Sequence, residues 1–283
     1  MNLKEIKIQK KDGSVKPLGV PGWIIDFSAE EYEQNRSRYL TSHRLADFRA
    51  CPKLFKLKMD GLIIEEDKPS WVIGRALHTL ALEGKAIFDR QYAIGGPINK
   101  TTGCPFGRTS KAWQEWADAQ SPKECLDQDQ MNLVGRLARA LQDHPLFMPL
   151  IKGALVEKTV RGEIEKVACQ IRPDALVLGE TNVLIDLKTC DDLTWFESDA
   201  RRFGYEYQMS FYKSILLQYL PKITCVLIAV EKKEPYRVGV WRVGESVLKR
   251  AEDTNKTAIR KLIECGQTGI WPTGYEEIRE WEY

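Results

Sequence analysis

The stretch Ile171–Thr189 constrains this chain more than any other. It reads Ile-Arg-Pro-Asp-Ala-Leu-Val-Leu-Gly-Glu-Thr-Asn-Val-Leu-Ile-Asp-Leu-Lys-Thr. Two apolar, β-branched runs flank a Gly-Glu-Thr-Asn turn, the pattern of a β-hairpin. A hairpin does not need the charges found here. Asp174 follows Pro173 on the first strand, and Asp186 and Lys188, two apart, share one face of the second. Val183, Leu184, Ile185 and Leu187 mark that strand as buried on both faces, where unpaired carboxylates are costly. A divalent cation between the acids would relieve the cost, and hard oxygen ligands suit magnesium or manganese. On spacing alone, an ordinary hairpin with an Asp–Lys salt bridge is the competing reading.

Counting sets a condition on the metal reading. If Leu178 pairs with Val183 across a four-residue turn, Asp174 and Asp186 fall on opposite faces and cannot share a cation. Convergence needs an odd connection of three or five residues near Gly179, or a bulge at Asp174. Gly179 and Asn182 tolerate the left-handed backbone that such loops often use, and Pro173 cannot donate to a ladder.

At 283 residues, 43% hydrophobic and 29% charged, the chain has the bulk of a soluble globular protein. No apolar run reaches the length of a membrane span, and Met1–Lys11 is charged, unlike an export signal; a cytoplasmic protein is the expectation. The seven cysteines are scattered and odd in number, which fits reduced thiols better than disulfides, and none forms a zinc-type cluster. A net charge of +2 does not announce a nucleic-acid binder, so contacts with DNA would fall to local basic groups. Arg136/Arg139, Arg201/Arg202 and Lys232/Lys233 are among them.

Residues 1–40 read as an N-terminal strap without chemistry, with a short strand at Lys4–Lys11 and a Pro/Gly-rich run at Lys16–Trp23. Residues 41–283 read as one domain. Thr41 and Ser42 cap a helix ending at Ala50, and Pro52 opens another that runs to about Met59. Trp71–Glu83 is apolar on most sides and reads as one buried helix with His78 as its polar exception. Residues 91–112 form a long, turn-rich basic loop in which Arg108 and Lys111 are candidates for DNA contact. Helices follow at Trp113 and at about Asp127–Asp143. Leu155–Lys166 reads as the first strand of the central sheet, bending at Gly162 and carrying Glu157. After the hairpin, Tyr205–Tyr219 is a helix with Gln208 and Tyr212 on one face. Two strands, Ile223–Glu231 and Arg237–Val243, and an amphipathic helix from Ser246 to Cys265 complete the chain before an aromatic tail at Trp271-Pro272.

Pro173-Asp174, eleven residues, then Asp186-Leu187-Lys188 resembles the signature of the PD-(D/E)XK nucleases. Three further patterns occur in the family's order. Ser42 to Phe55 resembles the opening helix of RecB-like members, Gly74-x-x-x-His78 resembles RecE-type (exonuclease VIII) proteins, and Gln208-x-x-x-Tyr212 again resembles the RecB-like pattern. The resemblance covers about residues 41–275. It implies an α/β fold with a restriction-endonuclease-like core, a central mixed sheet flanked by helices, and an N-terminal helical elaboration.

The resemblance also implies magnesium-dependent hydrolysis of DNA, as an exonuclease acting from duplex ends. Asp174, Asp186 and the Leu187 carbonyl would hold the metal, Lys188 would serve the attacking water, and His78 would face a second metal with Glu157 as an added acid. Gln208 and Tyr212 would position the DNA strand or the lysine. Cys51 lacks the C-terminal cysteine triplet of iron–sulfur relatives, so no cluster is expected. A homo-oligomeric ring and a single-strand annealing recombinase partner are left open. The rival readings are an inactive DNA-end-binding protein on the same fold and a sequence- or structure-specific endonuclease.

Overall fold

The computed structural model describes residues 22–35, 38–64 and 69–280. The expected Lys4–Lys11 strand and most of the Lys16–Trp23 run lie outside the described residues. The described chain begins with β1 (Ile24–Ile25) and α1 (Ala29–Gln34), the latter set by a capping box between Ser28 and Glu31. Next come α2 (Ser42–Ala50), capped by Thr41, and α3 (Pro52–Met59), whose N-cap is the Cys51 thiol with Pro52 in the first turn. Leu45, Phe48 and Phe55 from this pair are buried. The far end of the chain closes over them, with the Trp271 ring 6.0 Å from that of Phe55 and Lys53 N donating to the Pro272 carbonyl at 3.0 Å.

The single helix expected over Trp71–Glu83 is divided. α4 (Pro69–His78) is α-helical, and Thr79–Glu83 widens into a π-type turn that closes when Gly84 N donates to Thr79 O. Gly84, at φ 90°, then takes the chain out of the turn into α5 (Lys85–Gln91). Widened turns of this kind often mark functional positions, and this one directly follows His78. Beyond it lie β2 (Tyr92–Ile94), α6 (Lys111–Ala119), β3 (Glu124–Leu126), which pairs with β2, then α7 (Gln128–Asp143) and α8 (Phe147–Ile151).

The Leu155–Lys166 segment is not one strand. β4 (Leu155–Val156) joins one sheet, and β5 (Thr159–Ile164) joins another with β1 and β6 (Val167–Ile171). The chain changes sheets at Glu157, whose φ of 52° is incompatible with an extended run. β7 (Ala175–Val177), β8 (Asn182–Cys190), α9 (Phe196–Phe203), α10 (Tyr205–Leu216), β9 (Ile223–Glu231), β10 (Val238–Arg242) and α11 (Glu245–Thr268) complete the fold.

The central sheet has the order β10-β9-β8-β7-β4 and is mixed, because β8 and β9 are parallel while the other neighbours are antiparallel. Parallel neighbours need a crossover, which α9 and α10 supply. Side chains alternate between two cores. Leu184, Leu227 and Ala229 pack with Met209, Phe211 and Ile259 of α10 and α11. Ile185, Leu187, Val226 and Ile228 pack with Ile73, Leu77, Val134 and Leu137 of α4 and α7. The near-continuous apolar runs of β8 and β9 are thus those of strands covered on both faces.

Candidate active site

The β7–β8 register decides whether the two aspartates can meet. Val177 pairs with Val183, Leu176 with Leu184 and Ala175 with Ile185, leaving five residues, 178–182, in the connection. Extended by one pair, Asp174 stands opposite Asp186 on the same face. The odd connection that convergence requires is present. It closes differently from expectation: neither Gly179 nor Asn182 adopts left-handed backbone. Instead Gly179 N donates to Asn182 Oδ1 at 3.3 Å, while Asn182 Nδ2 donates to the Lys222 carbonyl at 2.9 Å.

Each acid is held by a different set of partners. Asp174 Oδ2 accepts from Leu187 N at 2.6 Å, and its Oδ1 lies 3.5 Å from His78 Nδ1. Asp186, 1% exposed, accepts from Gln208 Nε2 at 3.0 Å through Oδ1. Its Oδ2 lies 2.6 Å from Lys188 Nζ but has no partner in hydrogen-bonding geometry. Lys188 Nζ donates to Gln208 Oε1 at 3.3 Å and sits 4.9 Å from the centre of the Tyr205 ring. Glu157 Oε2 accepts from Arg172 Nε at 2.6 Å, and the Arg172 guanidinium also donates to the Phe27 carbonyl at 3.2 Å. Ligand atoms of His78, Glu157 and Asp174 lie within 4.8 Å of one another. Asp186 stands beside this trio, turned toward Lys188.

The electrostatics are those of a pocket with more negative charge than it can hold. Burial, with Asp174 adding to it, pushes Asp186 up to about 6 against the pull of Lys188. Burial and Asp174 together push Glu157 up to about 7, although Arg172 works against them. Burial would also raise Asp174, but His78 and Lys188 hold it below the usual carboxylate range. The cations respond in kind. Burial disfavours a charged imidazole, yet Asp174 lifts His78 to about 9; burial opposes the Lys188 ammonium, but Asp186 and Asp174 hold it above its ordinary value. Two buried aspartates, the half-buried Glu157, an imidazole and a carboxylate oxygen lacking a hydrogen bond are a donor set that fits a hard divalent cation.

The remaining expected site residues are placed differently. Gln208 lies within the cluster, bridging Asp186 and Lys188. Tyr212 is 5% exposed and accepts from Gln208 Nε2 at 3.3 Å, so it braces the glutamine and is too deep to touch a DNA strand. The Arg108 guanidinium donates to the Cys125 carbonyl and to Gln130 and lies over the Trp113 ring, which fastens the loop to α7. Lys111 opens α6 and pairs with Glu115 at 3.6 Å, remaining exposed. Two members of the cluster were not picked out from sequence. Arg172 carried a signal, a cation directly before Pro173-Asp174, whereas Tyr205 carried none beyond its place at the start of a helix. A separate open cavity of about 790 Å³, bordered by Arg136, His144 and Tyr236, includes none of these residues.

A sequence profile of the family described as a PDDEXK-like domain of unknown function (DUF3799) matches residues 42–281. The chain belongs to this family. Among solved structures, a "Putative exonuclease" from Eubacterium rectale is similar with a TM-score of 0.65 at 14% identity, covering 92% of this chain and 96% of the other. At that identity the likeness is one of fold. An alkaline exonuclease from Laribacter hongkongensis is similar over 85% of this chain and 96% of its own, at 12% identity, but its TM-score of 0.34 supports no structural inference. No curated protein matches the chain in sequence. The PDDEXK-like membership agrees with the resemblance read from Asp174, Asp186 and Lys188, and the mixed sheet flanked by helices is the expected architecture. No helix among the described residues is long and apolar enough to cross a membrane.

In this PDDEXK-like chain, His78 distinguishes a ligand from a core histidine by experiment. Its side chain faces Asp174 and is 22% exposed, so His78→Ala should lower turnover by about 100-fold, while the melting temperature falls by only a few degrees as Asp174 loses one of its two cations. Activity and thermal unfolding measured on the same variant check this. A large loss of stability with turnover retained would remove His78 from the site.

Proposed function

We propose that this protein is a magnesium-dependent DNA exonuclease that hydrolyses phosphodiester bonds from duplex ends and leaves single strands for recombination or phage DNA processing. The observation that carries this reading is the convergence of Asp174, Asp186 and Lys188 on one face of the β7–β8 hairpin, with Glu157 and His78 closing the pocket. Asp174, Asp186 and the Leu187 carbonyl would hold the first ion. His78, with Glu157, would face a second. A divalent cation bound there lowers the pKa of water and offsets charge building on the phosphate.

The chain's own residues supply the rest. Lys188, kept as an ammonium by Asp186 and Asp174, orients the attacking water and stabilises negative charge on the phosphate oxygens. Gln208 fixes both Asp186 and Lys188, and Tyr212 fixes Gln208, so the lysine is aimed before substrate arrives. Leu187 N, donating to Asp174, ties the first carboxylate to the strand that carries the second.

Substrate topology tests the reading. Linear duplex should be degraded in magnesium, spared in EDTA, and sealed circles should survive under both conditions. Binding should weaken steeply with added salt as phosphate contacts release counterions. Efficient cutting of a covalently closed circle would favour the endonuclease, and binding of ends without any hydrolysis would favour an inactive end-binding protein.

A further inference from the structure

The apolar stripe of α9 continues past the edge of the core. Phe196, Ala200 and Phe203 are four and three residues apart and share one face of the helix. Phe196 is buried, Ala200 is half-buried, and Phe203 is 58% exposed. Gly204, in left-handed backbone at φ 70°, turns the chain sharply into α10. The turn brings the Tyr205 ring against Phe203, with centroids 5.9 Å apart and 28° between planes. Tyr205 also meets the buried Phe196 ring, with centroids 6.2 Å apart, and Lys188, whose Nζ lies 4.9 Å from the ring centre. A stack of two rings therefore leads from solvent to the lysine of the acidic pocket.

Positive charge surrounds the outer ring. The Arg202 guanidinium lies 4.5 Å over Phe203, and Arg201 is exposed beside it. Arg49 lies 4.2 Å over Tyr207, one turn farther along the same junction. Arg202 also pairs with Asp199 at 2.9 Å, but its side chain is 67% exposed and can exchange the ring face for a phosphate. One exposed ring face bordered by arginines offers little apolar area to a protein surface. It matches a single nucleotide, which presents a flat base to the ring and a phosphate to the guanidinium groups.

Resting on the nuclease reading above, we propose that Phe203, backed by Tyr205 and flanked by Arg201 and Arg202, is a stacking platform for an unpaired base of the DNA strand entering the Lys188 pocket. A base inside the duplex is stacked on both faces, and a base in the terminal pair is held flat against its partner, so an unpaired nucleotide is the one free to turn its base onto the ring beside its own phosphate. The platform therefore selects ends whose terminal nucleotides are frayed or single-stranded.

The test is anisotropy of the full chain, in EDTA, with a short labelled duplex ending in mismatched nucleotides and with the same duplex fully paired. Wild type should bind the frayed end more tightly. Phe203→Ala should weaken frayed-end binding by about tenfold and paired-end binding much less. Phe203→Trp should keep wild-type affinity, and Phe203→Leu should behave like Phe203→Ala because it is apolar without a π-face. Unchanged melting temperatures, expected for so exposed a ring, exclude misfolding as the cause. Wild-type affinity in Phe203→Ala, or in Phe203→Leu, overturns the platform while leaving hydrolysis by the wild type, and so the nuclease reading, intact. Failure of the wild type to bind or digest any DNA overturns both.

Discussion

Asp186→Asn should lower DNA hydrolysis by about a thousandfold or more while moving the melting temperature by only a few degrees. The two effects separate because the substitution preserves shape and removes charge. The asparagine Oδ1 can still accept from Gln208 Nε2, and the side chain fills the same volume in a site that is 1% exposed. Asp186 is also held in the pocket against its preference, with burial and Asp174 raising it to about 6, so removing its charge relieves repulsion in the ion-free protein. Against this, Lys188 loses its nearest carboxylate, although Asp174 remains close enough to hold it. Turnover has no such compensation, since charge on the ligand is what stabilises a cation and the transition state beside it. Hydrolysis at the parental rate by purified Asp186→Asn, in the presence of magnesium, would show that the site lies elsewhere.

Lys188→Met should be the second large loss, again about a thousandfold in turnover, with a distinct thermodynamic signature. In the ion-free pocket the Lys188 ammonium and the protonated His78 are the cations set directly against Asp174 and Asp186. Removing the ammonium leaves Asp186 buried with only the Gln208 amide as a partner, so the ion-free protein should melt several degrees lower. Added manganese or magnesium should then raise the melting temperature of Lys188→Met more than that of wild type, because the ion replaces a missing positive charge. Thermal unfolding across a metal titration measures this. Equal metal-dependent shifts in the two proteins would place the ion away from Lys188.

Much of the site was legible because strand periodicity is unforgiving. Asp186 and Lys188 had to share a face of β8 wherever it ran as a regular strand, and the parity of the β7–β8 connection, or a bulge at Asp174, decided whether Asp174 joined them. The alternation of Leu184 and Leu227 against Ile185 and Ile228 likewise followed from apolar runs too continuous for a half-exposed sheet. Events that depend on one backbone angle were not legible. The expected Leu155–Lys166 strand breaks at Glu157 because that residue takes φ 52°, a choice imposed by two sheets competing for the segment. Nothing in Thr79–Glu83 announces a widened turn, since its residues are those of an ordinary helix.

Long-range partners were the other blind spot. Arg172 meets Glu157 where β4 pairs with β7, and Phe27 where the 22–35 segment lies along β5, so a stretch that reads as a strap without chemistry supplies an anchor to the site. The basic loop shows the converse. Arg108 reads as a DNA contact from composition, but in the fold its donors go to Cys125 and Gln130. Arg201 and Arg202, one of several basic pairs in the sequence, gain their place only in the fold, where Gly204 turns the chain so that Phe203 beneath Arg202 stacks on Tyr205 beside Lys188.

The most direct measurement is the anomalous difference density of a crystal soaked in manganese. A peak against the Asp174 carboxylate, bounded by Asp186 on one side and by His78 and Glu157 on the other, is the expected result, and it should vanish in Asp186→Asn or move wholly to the His78 side. Manganese bound only at sites remote from Asp174, in a protein that still digests linear DNA with that metal, would contradict the assignment.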